Sequence, residues 1–339
     1  MRIRSFRIQN FRNLRLAERT DVPEFVVICG PNGAGKSALM EALMVAKIRA
    51  SAYGNLQFDD SVVSADATKA EISLTLTFTE RERAFSKEQF DVDCPESADV
   101  AIEIDRQGTA RVSNTVRPVK LLLSYSSEAL SSPGYFDFVN FPRQVGRATL
   151  QTVEPESRAG ERTKETTPRA DHSSRFDPVS QYLFNLQKQG PLQEIVDLFN
   201  SLLAPMKLKP PDPLKPSRQF LISTPTGDIR FDDLSSGEKE MFHTLLRLHQ
   251  LKPKDGILLI DDADVFVHPD LHERYLGALR KSGQGSQLLL TTRSTGMIMA
   301  AGTEALYTVL KEPPKDGGNQ FLHVAESRRP SVTALKADT

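Results

Sequence analysis

Residues 30 to 37 read Gly-Pro-Asn-Gly-Ala-Gly-Lys-Ser, a complete GxxxxGKS element directly after the apolar run Glu24-Phe25-Val26-Val27-Ile28-Cys29 and directly before a helical pattern. A buried strand, a glycine-rich turn and a helix in that order constrain the chain to an α/β core built around a phosphate-binding loop. Gly30, Gly33 and Gly35 let the backbone curl into a nest of inward-pointing N–H groups, and Pro31, Asn32, Ala34 and Ala38 complete its wall. Lys36 is spaced to reach the β- and γ-phosphates, and Ser37 to give an oxygen to Mg²⁺. The pattern implies a nucleoside triphosphate site.

The periodicity around this loop sets the elements that carry it. Ile3, Phe6, Ile8 and Phe11 suit a strand, Phe25 to Cys29 a second one buried on both faces, and Leu39, Met40, Leu43, Met44 and Ile48 a helix. Residues 70 to 79 alternate strictly, and 100 to 104 with 111 to 116 continue the pattern, which predicts an antiparallel subregion. A polar tract over 152–177 lacks periodicity and reads as a surface loop or an unstructured segment. Helical spacing returns over 179–203, interrupted near Gly190-Pro191, and the proline-rich stretch 209–216 bars regular structure. No heptad pattern is sustained, so a long coiled-coil arm is not expected.

Charge and cysteine content narrow the setting. Forty-three Lys and Arg face 44 Asp and Glu, so any nucleic-acid contact has to come from a local patch. Arg2, Arg4, Arg7, Arg12 and Arg15 give the N-terminus a basic bias, for which a solvated edge and a DNA groove are both open readings. Cys29 and Cys94 have no metal-ligand spacing and read as ordinary thiols of a reducing compartment. The longest apolar runs are too short to cross a bilayer, and the first residues contain no signal-peptide core. A cytoplasmic location without membrane attachment is the expectation.

A second half-site lies near the C-terminus. Ile257-Leu258-Leu259-Ile260-Asp261-Asp262 is an apolar strand ending in two carboxylates, which suits Asp261 to Mg²⁺ and Asp262 to orienting the attacking water. Upstream, Leu234-Ser235-Ser236-Gly237-Glu238-Lys239-Glu240 opens a helix, and Ser235, Ser236 and Gly237 can donate hydrogen bonds to an anion.

These residues resemble the ABC ATPases: LSSGEKE is similar to their signature motif, and the order of phosphate loop, signature and Walker B is theirs. Ile8-Gln9-Asn10-Phe11-Arg12-Asn13-Leu14, Asn32 within the loop and Val267-His268-Pro269 after Walker B resemble the RecF/SMC-type branch, which includes ATPases of bacterial DNA repair and anti-phage defence. The resemblance covers roughly 1–50 and 220–310. It implies a P-loop NTPase of ABC-ATPase head type, with a mixed sheet core, an antiparallel β subdomain and an inserted helical lobe. In this reading one head is built from 1–120 and 217–325, and 121–216 is the inserted lobe.

The same resemblance implies ATP and Mg²⁺ as ligands, Arg12 as a further nucleotide contact, and a homodimer that closes on ATP with Ser235 and Gly237 facing the partner's phosphate loop. An effector protein such as a nuclease, and DNA, are the implied partners. Gln144 is the candidate glutamine joining Mg²⁺ to the insertion, with a plain loop residue as the alternative. Two departures bear on turnover. Asp262 stands where the family carries Glu, shorter by about 1.5 Å, and Arg293 stands where it carries a switch histidine, so slow hydrolysis is expected. His268 is read as a turn residue beside Pro269. A binding-only sensor is one alternative function. A transporter subunit is another, for which the interval from Lys36 to Ser235 is too long.

Overall fold

The computed structural model describes residues 1–51, 56–57, 60–124, 133–140, 149–150, 179–211, 220–251, 255–265, 267–283, 285–315 and 317–327. The chain opens with β1 (Arg2–Phe11), β2 (Leu14–Arg19) and β3 (Phe25–Cys29), which feeds the phosphate loop and α1 (Lys36–Ala50). Next come β4 (Leu56–Gln57), β5 (Lys69–Thr77), α2 (Glu80–Phe90), β6 (Ser97–Asp105), β7 (Ala110–Asn114) and α3 (Arg117–Ser124). The middle holds β8 (Phe136–Asn140), β9 (Thr149–Leu150), α4 (Val179–Gln189), α5 (Leu192–Leu202) and β10 (Lys207–Lys209). The last third runs β11 (Leu221–Thr224), β12 (Gly227–Arg230), α6 (Ser236–Leu251), β13 (Ile257–Ile260), α7 (His272–Ser282) and β14 (Gln287–Thr291). It closes with α8 (Thr295–Ala301), β15 (Leu306–Val309), β16 (Phe321–His323) and α9 (Val324–Ser327).

Apolar patterning separates two sheets. Residues Val26–Ile28, Ile257–Ile260 and Gln287–Thr291 are buried throughout, as strands covered on both faces must be, and they form the centre of a six-stranded sheet ordered β16-β15-β3-β14-β13-β8. All its neighbours run parallel except β16, which returns antiparallel to β15. The strands with alternating burial make the antiparallel sheet β2-β1-β5-β6-β7.

Helix α1 lies between these sheets, and its burial follows from that position. Twelve of its residues are buried, including Leu39, Leu43, Val45 and Ile48, so its apolar character wraps the whole circumference instead of one stripe. Its core also takes Leu259, Leu289, Val26 and Ile28 from one face of the six-stranded sheet. The other face presents Leu258, Leu288, Leu290 and Val27 to a second core filled by Ile195, Phe199, Phe242 and Leu245 of α5 and α6. The two-residue repeat of a strand thus assigns neighbouring residues to different cores.

Buried amides tie the sheets together. Gln287, fully buried, accepts from the Ile3 N–H at 2.7 Å and donates to the Ile3 carbonyl at 2.9 Å. Gln320 accepts from the Arg15 N–H through its side chain and donates its own backbone N–H to Leu16. Both use side-chain amides to extend a backbone ladder across a sheet boundary.

The fold is the mixed-sheet head with an antiparallel β subdomain that the motifs implied. One part of the domain reading needs correction. The stretch 121–216 is not wholly a helical lobe, because Phe136–Asn140 is the edge strand of the six-stranded sheet, with Phe136 opposite Ile257 and Asp137 opposite Leu258. Parallel pairing with a partner about 120 residues away leaves no local signal. Helix α2 is mostly polar and carries no clear apolar stripe in the sequence; a Thr79–Glu82 capping box starts it. Gln144, the polar tract 152–177 and 212–216 of the proline-rich stretch lie outside the described residues.

The basic N-terminal bias is neutralised side chain by side chain. Arg2 pairs with Glu24, Arg4 with Asp21, Arg7 with Glu18, Arg12 with Glu41 and Arg15 with Asp66. Among the described residues no helix is long and apolar enough to cross a membrane.

Candidate functional site

The turn after β3 has the geometry that its glycines demand. Gly30 sits at φ 148°, where a Cβ would lie 2.6 Å from the Val309 carbonyl oxygen, and Gly35 at φ 109°, where it would lie 2.7 Å from Leu14 Cδ2. Each is a left-handed position under close approach, which excludes a side chain. Asn13, in the β1–β2 turn, donates from Nδ2 to the Gly33 carbonyl at 2.6 Å and lines the same cavity as the loop.

Lys36 is 6% exposed and donates from Nζ to the carbonyls of Gly30 at 2.9 Å and Pro31 at 3.1 Å. Burial lowers its pKa, and nearby Asp262 opposes that shift. The ammonium therefore rests on the loop it belongs to, inside an open cavity of about 480 Å³. Asn32, Gly33, Gly35, Ser37 and Ala38 line the cavity on the loop side, and Asp262 and Arg293 line the opposite wall. Ala34 is buried behind the loop, where its N–H bonds the Pro31 carbonyl at 3.2 Å.

That opposite wall is built by the ends of β13 and β14, which pair in parallel and deliver their C-terminal residues side by side. Asp261 is 5% exposed, and the fully buried Thr291 hydroxyl donates to its Oδ1. The same hydroxyl accepts from the Asp262 N–H at 2.8 Å. One threonine therefore fixes both carboxylate-bearing residues. Asp262 takes the left-handed conformation at φ 47°, and its carboxyl is pushed up in pKa first by burial and then by Asp261, with Arg293 and Lys36 opposing.

Arg293 extends across the mouth, with Nε 3.6 Å from Asp262 Oδ1 and a terminal nitrogen 3.5 Å from Asn32 Oδ1. Walker B and the phosphate loop are bridged by one exposed guanidinium. The donor set fits Mg²⁺, which takes few protein oxygens: an exposed Ser37 hydroxyl on the loop and the buried Asp261 carboxylate opposite. Among the described residues no group of three or more His, Cys, Asp or Glu forms a self-sufficient metal cage.

Other sequence-derived positions lie elsewhere. Arg12, at φ 52°, is held by a bidentate pair with Glu41 of α1, both bonds at 2.7 Å, and does not line the cavity. Ser235, Ser236 and Gly237 begin α6 and are likewise absent from the lining. The Ser235 N–H and hydroxyl both donate to Glu238 Oε2, at 2.8 and 2.7 Å, in a capping box. His268 caps the turn Pro269–Leu271 by accepting from the Asp270 N–H, in line with a turn role. Motif reading missed Asn13, Thr291 and Asp264. Asn13 lies inside a quoted motif and is traceable by its turn; the other two become visible only when β13 and β14 are paired.

A parallel core with its phosphate loop between β3 and a buried helix, carboxylates at the end of β13, the next strand but one, and a signature-type helix α6 defines a P-loop NTPase of the ABC-ATPase head class. The RecF/RecN/SMC N terminal domain model matches residues 2–315, and the chain belongs to that family. It is similar to the DNA replication and repair protein RecF of Protochlamydia amoebophila (strain UWE25), 40% identical over 85 residues, or 23% of this chain and 24% of that protein. It is also similar to the Septu protein PtuA of Bacillus thuringiensis, 29% identical over 100 residues, or 26% of this chain and 25% of that protein. The chain spans about a quarter of the length of these curated relatives.

Among solved structures, an SMC head bound to the C-winged helix domain of ScpA matches with TM-score 0.56 and 14% identity, covering 96% of this chain and all of that one. The SMC head domain from Thermotoga maritima matches with TM-score 0.52 and 16% identity over 96% of this chain and 99% of that one. A third SMC head domain, bound to the C-terminal domain of ScpA derived from Pyrococcus furiosus, gives 0.53 and 13% over 96% and 97%. At such identities the likeness shows the fold.

Proposed function

We propose that this chain binds ATP with Mg²⁺, hydrolyses it slowly, and dimerises around it to gate a DNA-directed or effector partner in anti-phage defence or DNA repair. The observation that carries the reading is the split of the site: loop, Lys36, Asp262 and Arg293 share one cavity, while the exposed Ser235 and Ser236 stand outside it. A nucleotide held by the loop alone leaves its γ-phosphate facing solvent, and a second copy can bring the serine-rich turn to that face. The two lobes 1–120 and 217–325 act in this proposal as one head.

Lys36 leaves the Gly30 and Pro31 carbonyls to bind the β- and γ-phosphates, with the loop N–H groups and the N-terminus of α1 adding to the same charge. Ser37 and Asp261 hold the cation, which when bound neutralises phosphate charge and orients the transferring group. Asp262 orients the attacking water. Its shorter side chain and the arginine in the place of the switch histidine set a slow rate. Gln144 and Arg12 are proposed as additional Mg²⁺ and nucleotide contacts.

Family membership and likeness to a RecF described as a replication and repair protein support the DNA-directed arm. SMC heads crystallised with ScpA segments support a protein partner. The absence of a membrane-spanning helix among the described residues is compatible with the proposed cytoplasmic site. One observation favours a second reading, an ATP sensor with negligible hydrolysis: Asp262, the candidate base, already faces a fixed cation.

Light scattering with a nonhydrolysable ATP analogue tests dimer formation. Dimers with the analogue and monomers without nucleotide are expected, and a monomer under both conditions overturns the proposal. Copurification from the native host, with and without ATP, then identifies the partner by mass spectrometry.

A further inference from the structure

Arg293 is held at its backbone by a residue that no motif assigns. Asp264, two positions beyond Asp262, accepts through one oxygen, Oδ1, from the Thr292 hydroxyl at 2.7 Å and from the Arg293 N–H at 3.0 Å. Thr292 is fully buried, and its hydroxyl oxygen in turn accepts from the Ser294 N–H at 3.0 Å. Ser294 caps α8 and bonds Nδ1 of the buried His272, whose Nε2 donates to the Val267 carbonyl at 2.9 Å.

A carbonyl only accepts, so Nε2 carries the proton and Nδ1 accepts the Ser294 hydroxyl proton when the ring is neutral. The circuit starts at Asp264 and returns to Val267, in the same loop. It fixes the backbone on both sides of Arg293, while the guanidinium itself reaches Asp262 and Asn32, among the described residues, at the long distances above. A rigid base with a freely swinging fork is suited to reporting what occupies the cavity mouth.

We propose that Asp264 is a positioning residue that aims Arg293 at the γ-phosphate and so gives the site its preference for the triphosphate over the diphosphate. The inference rests on the nucleotide-binding reading above. A γ-phosphate takes the guanidinium from Asp262, because a phosphate accepts two parallel N–H bonds and carries more charge than one carboxylate at 3.6 Å. ADP reaches only Lys36 and the loop, so the aim of Arg293 leaves its affinity untouched. Removing Asp264 releases the Arg293 N–H and the Thr292 hydroxyl together and lets the guanidinium point elsewhere.

The test is calorimetry of ADP and of a nonhydrolysable ATP analogue on the full chain, with thermal unfolding as a check of folding. Arg293→Ala is expected to weaken the analogue about tenfold and ADP less than twofold, the loss of one charge-assisted contact. Asp264→Ala is expected to do the same, and the double variant to bind no more weakly than Arg293→Ala alone. Asp264→Asn keeps an Oδ1 acceptor and restores the preference. Thr292→Val, which removes one of the two bonds, shows a smaller loss of the same kind and serves if Asp264→Ala unfolds.

Equal weakening of both nucleotides by Asp264→Ala, additive losses in the double variant, or an Arg293→Ala protein with unchanged preference each overturns the inference. If the unaltered chain binds neither nucleotide, the functional reading falls instead.

Discussion

Arg293 and Asp262 come from the ends of two adjacent parallel strands and face each other at 3.6 Å across the mouth of the phosphate-loop cavity. The pairing places a permanent cation beside the carboxylate proposed to orient water, in a family position where a histidine can release a proton and an arginine cannot. It also makes the free site electrostatically self-contained, since Lys36 and Arg293 both oppose the upward shift of the Asp262 pKa. Nucleotide binding therefore exchanges existing contacts instead of filling an empty field.

Asp262→Glu extends the carboxylate by about 1.5 Å and is expected to raise ATP turnover several-fold with little change in ATP affinity. Asp262→Asn is expected to leave binding and abolish turnover. Single-turnover phosphate release against direct binding measurements separates the two effects. An unchanged rate in the glutamate variant assigns the slow step to Arg293 or to the absence of an activating partner.

Lys36→Ala removes the only lysine lining the cavity among the described residues and is expected to abolish tight ATP binding. Ser235→Arg is expected to bind ATP normally but not to dimerise or turn over. Neither variant forms its own ATP-bound dimer, so the dimers in an equimolar mixture are mixed ones with one of two composite sites intact, and up to about half of the normal ATPase rate returns if the serine turn acts in trans. No recovery in the mixture counts against shared sites.

Gly35→Ala puts a methyl 2.7 Å from Leu14 Cδ2 in a backbone conformation at φ 109°. The expected cost is about 1–3 kcal/mol of stability, together with loss of nucleotide affinity, because the loop and the β1–β2 turn are pushed apart. Thermal unfolding with and without ATP reads both. A variant with unchanged melting temperature and affinity contradicts the tight packing seen here.

Cys94 has its thiol pKa raised to about 11, chiefly by burial and then by Glu82. Above-normal pKa means that the thiolate is scarce at pH 8, and labelling by a disulfide reagent is expected to run about 100-fold slower than in the unfolded chain. The rate should climb with pH up to about 11. Fast labelling at pH 8 in the native protein shows that the site is open.

The motifs in the sequence marked the loop and the strand-end carboxylate Asp262 that share one cavity. Gly30 to Ala38 form a loop because local dihedral freedom and helix start are properties of neighbouring residues, and Asp261 with Asp262 end a strand because a four-residue apolar run can only be buried. Helices α4 and α5 and strands β1, β5, β6 and β7 of the antiparallel sheet follow from periodicity for the same reason, whereas β2 does not. Arg12 lies in a quoted motif, but the pairing of its guanidinium with Glu41 of α1 is a property of the tertiary structure.

Long-range pairing decided the remainder. The sequence by itself determined the P-loop class, the residue types that can meet phosphate and metal, and the two substitutions expected to slow hydrolysis, all of which are read from short windows. Only the tertiary structure brought β8 to the edge of the core sheet, set Thr291 between Asp261 and Asp262, and closed the circuit from Asp264 through Thr292 and His272. All of those contacts but the His272–Val267 bond join residues far apart in the chain, and their geometry exists only after parallel strands have aligned their carboxyl ends.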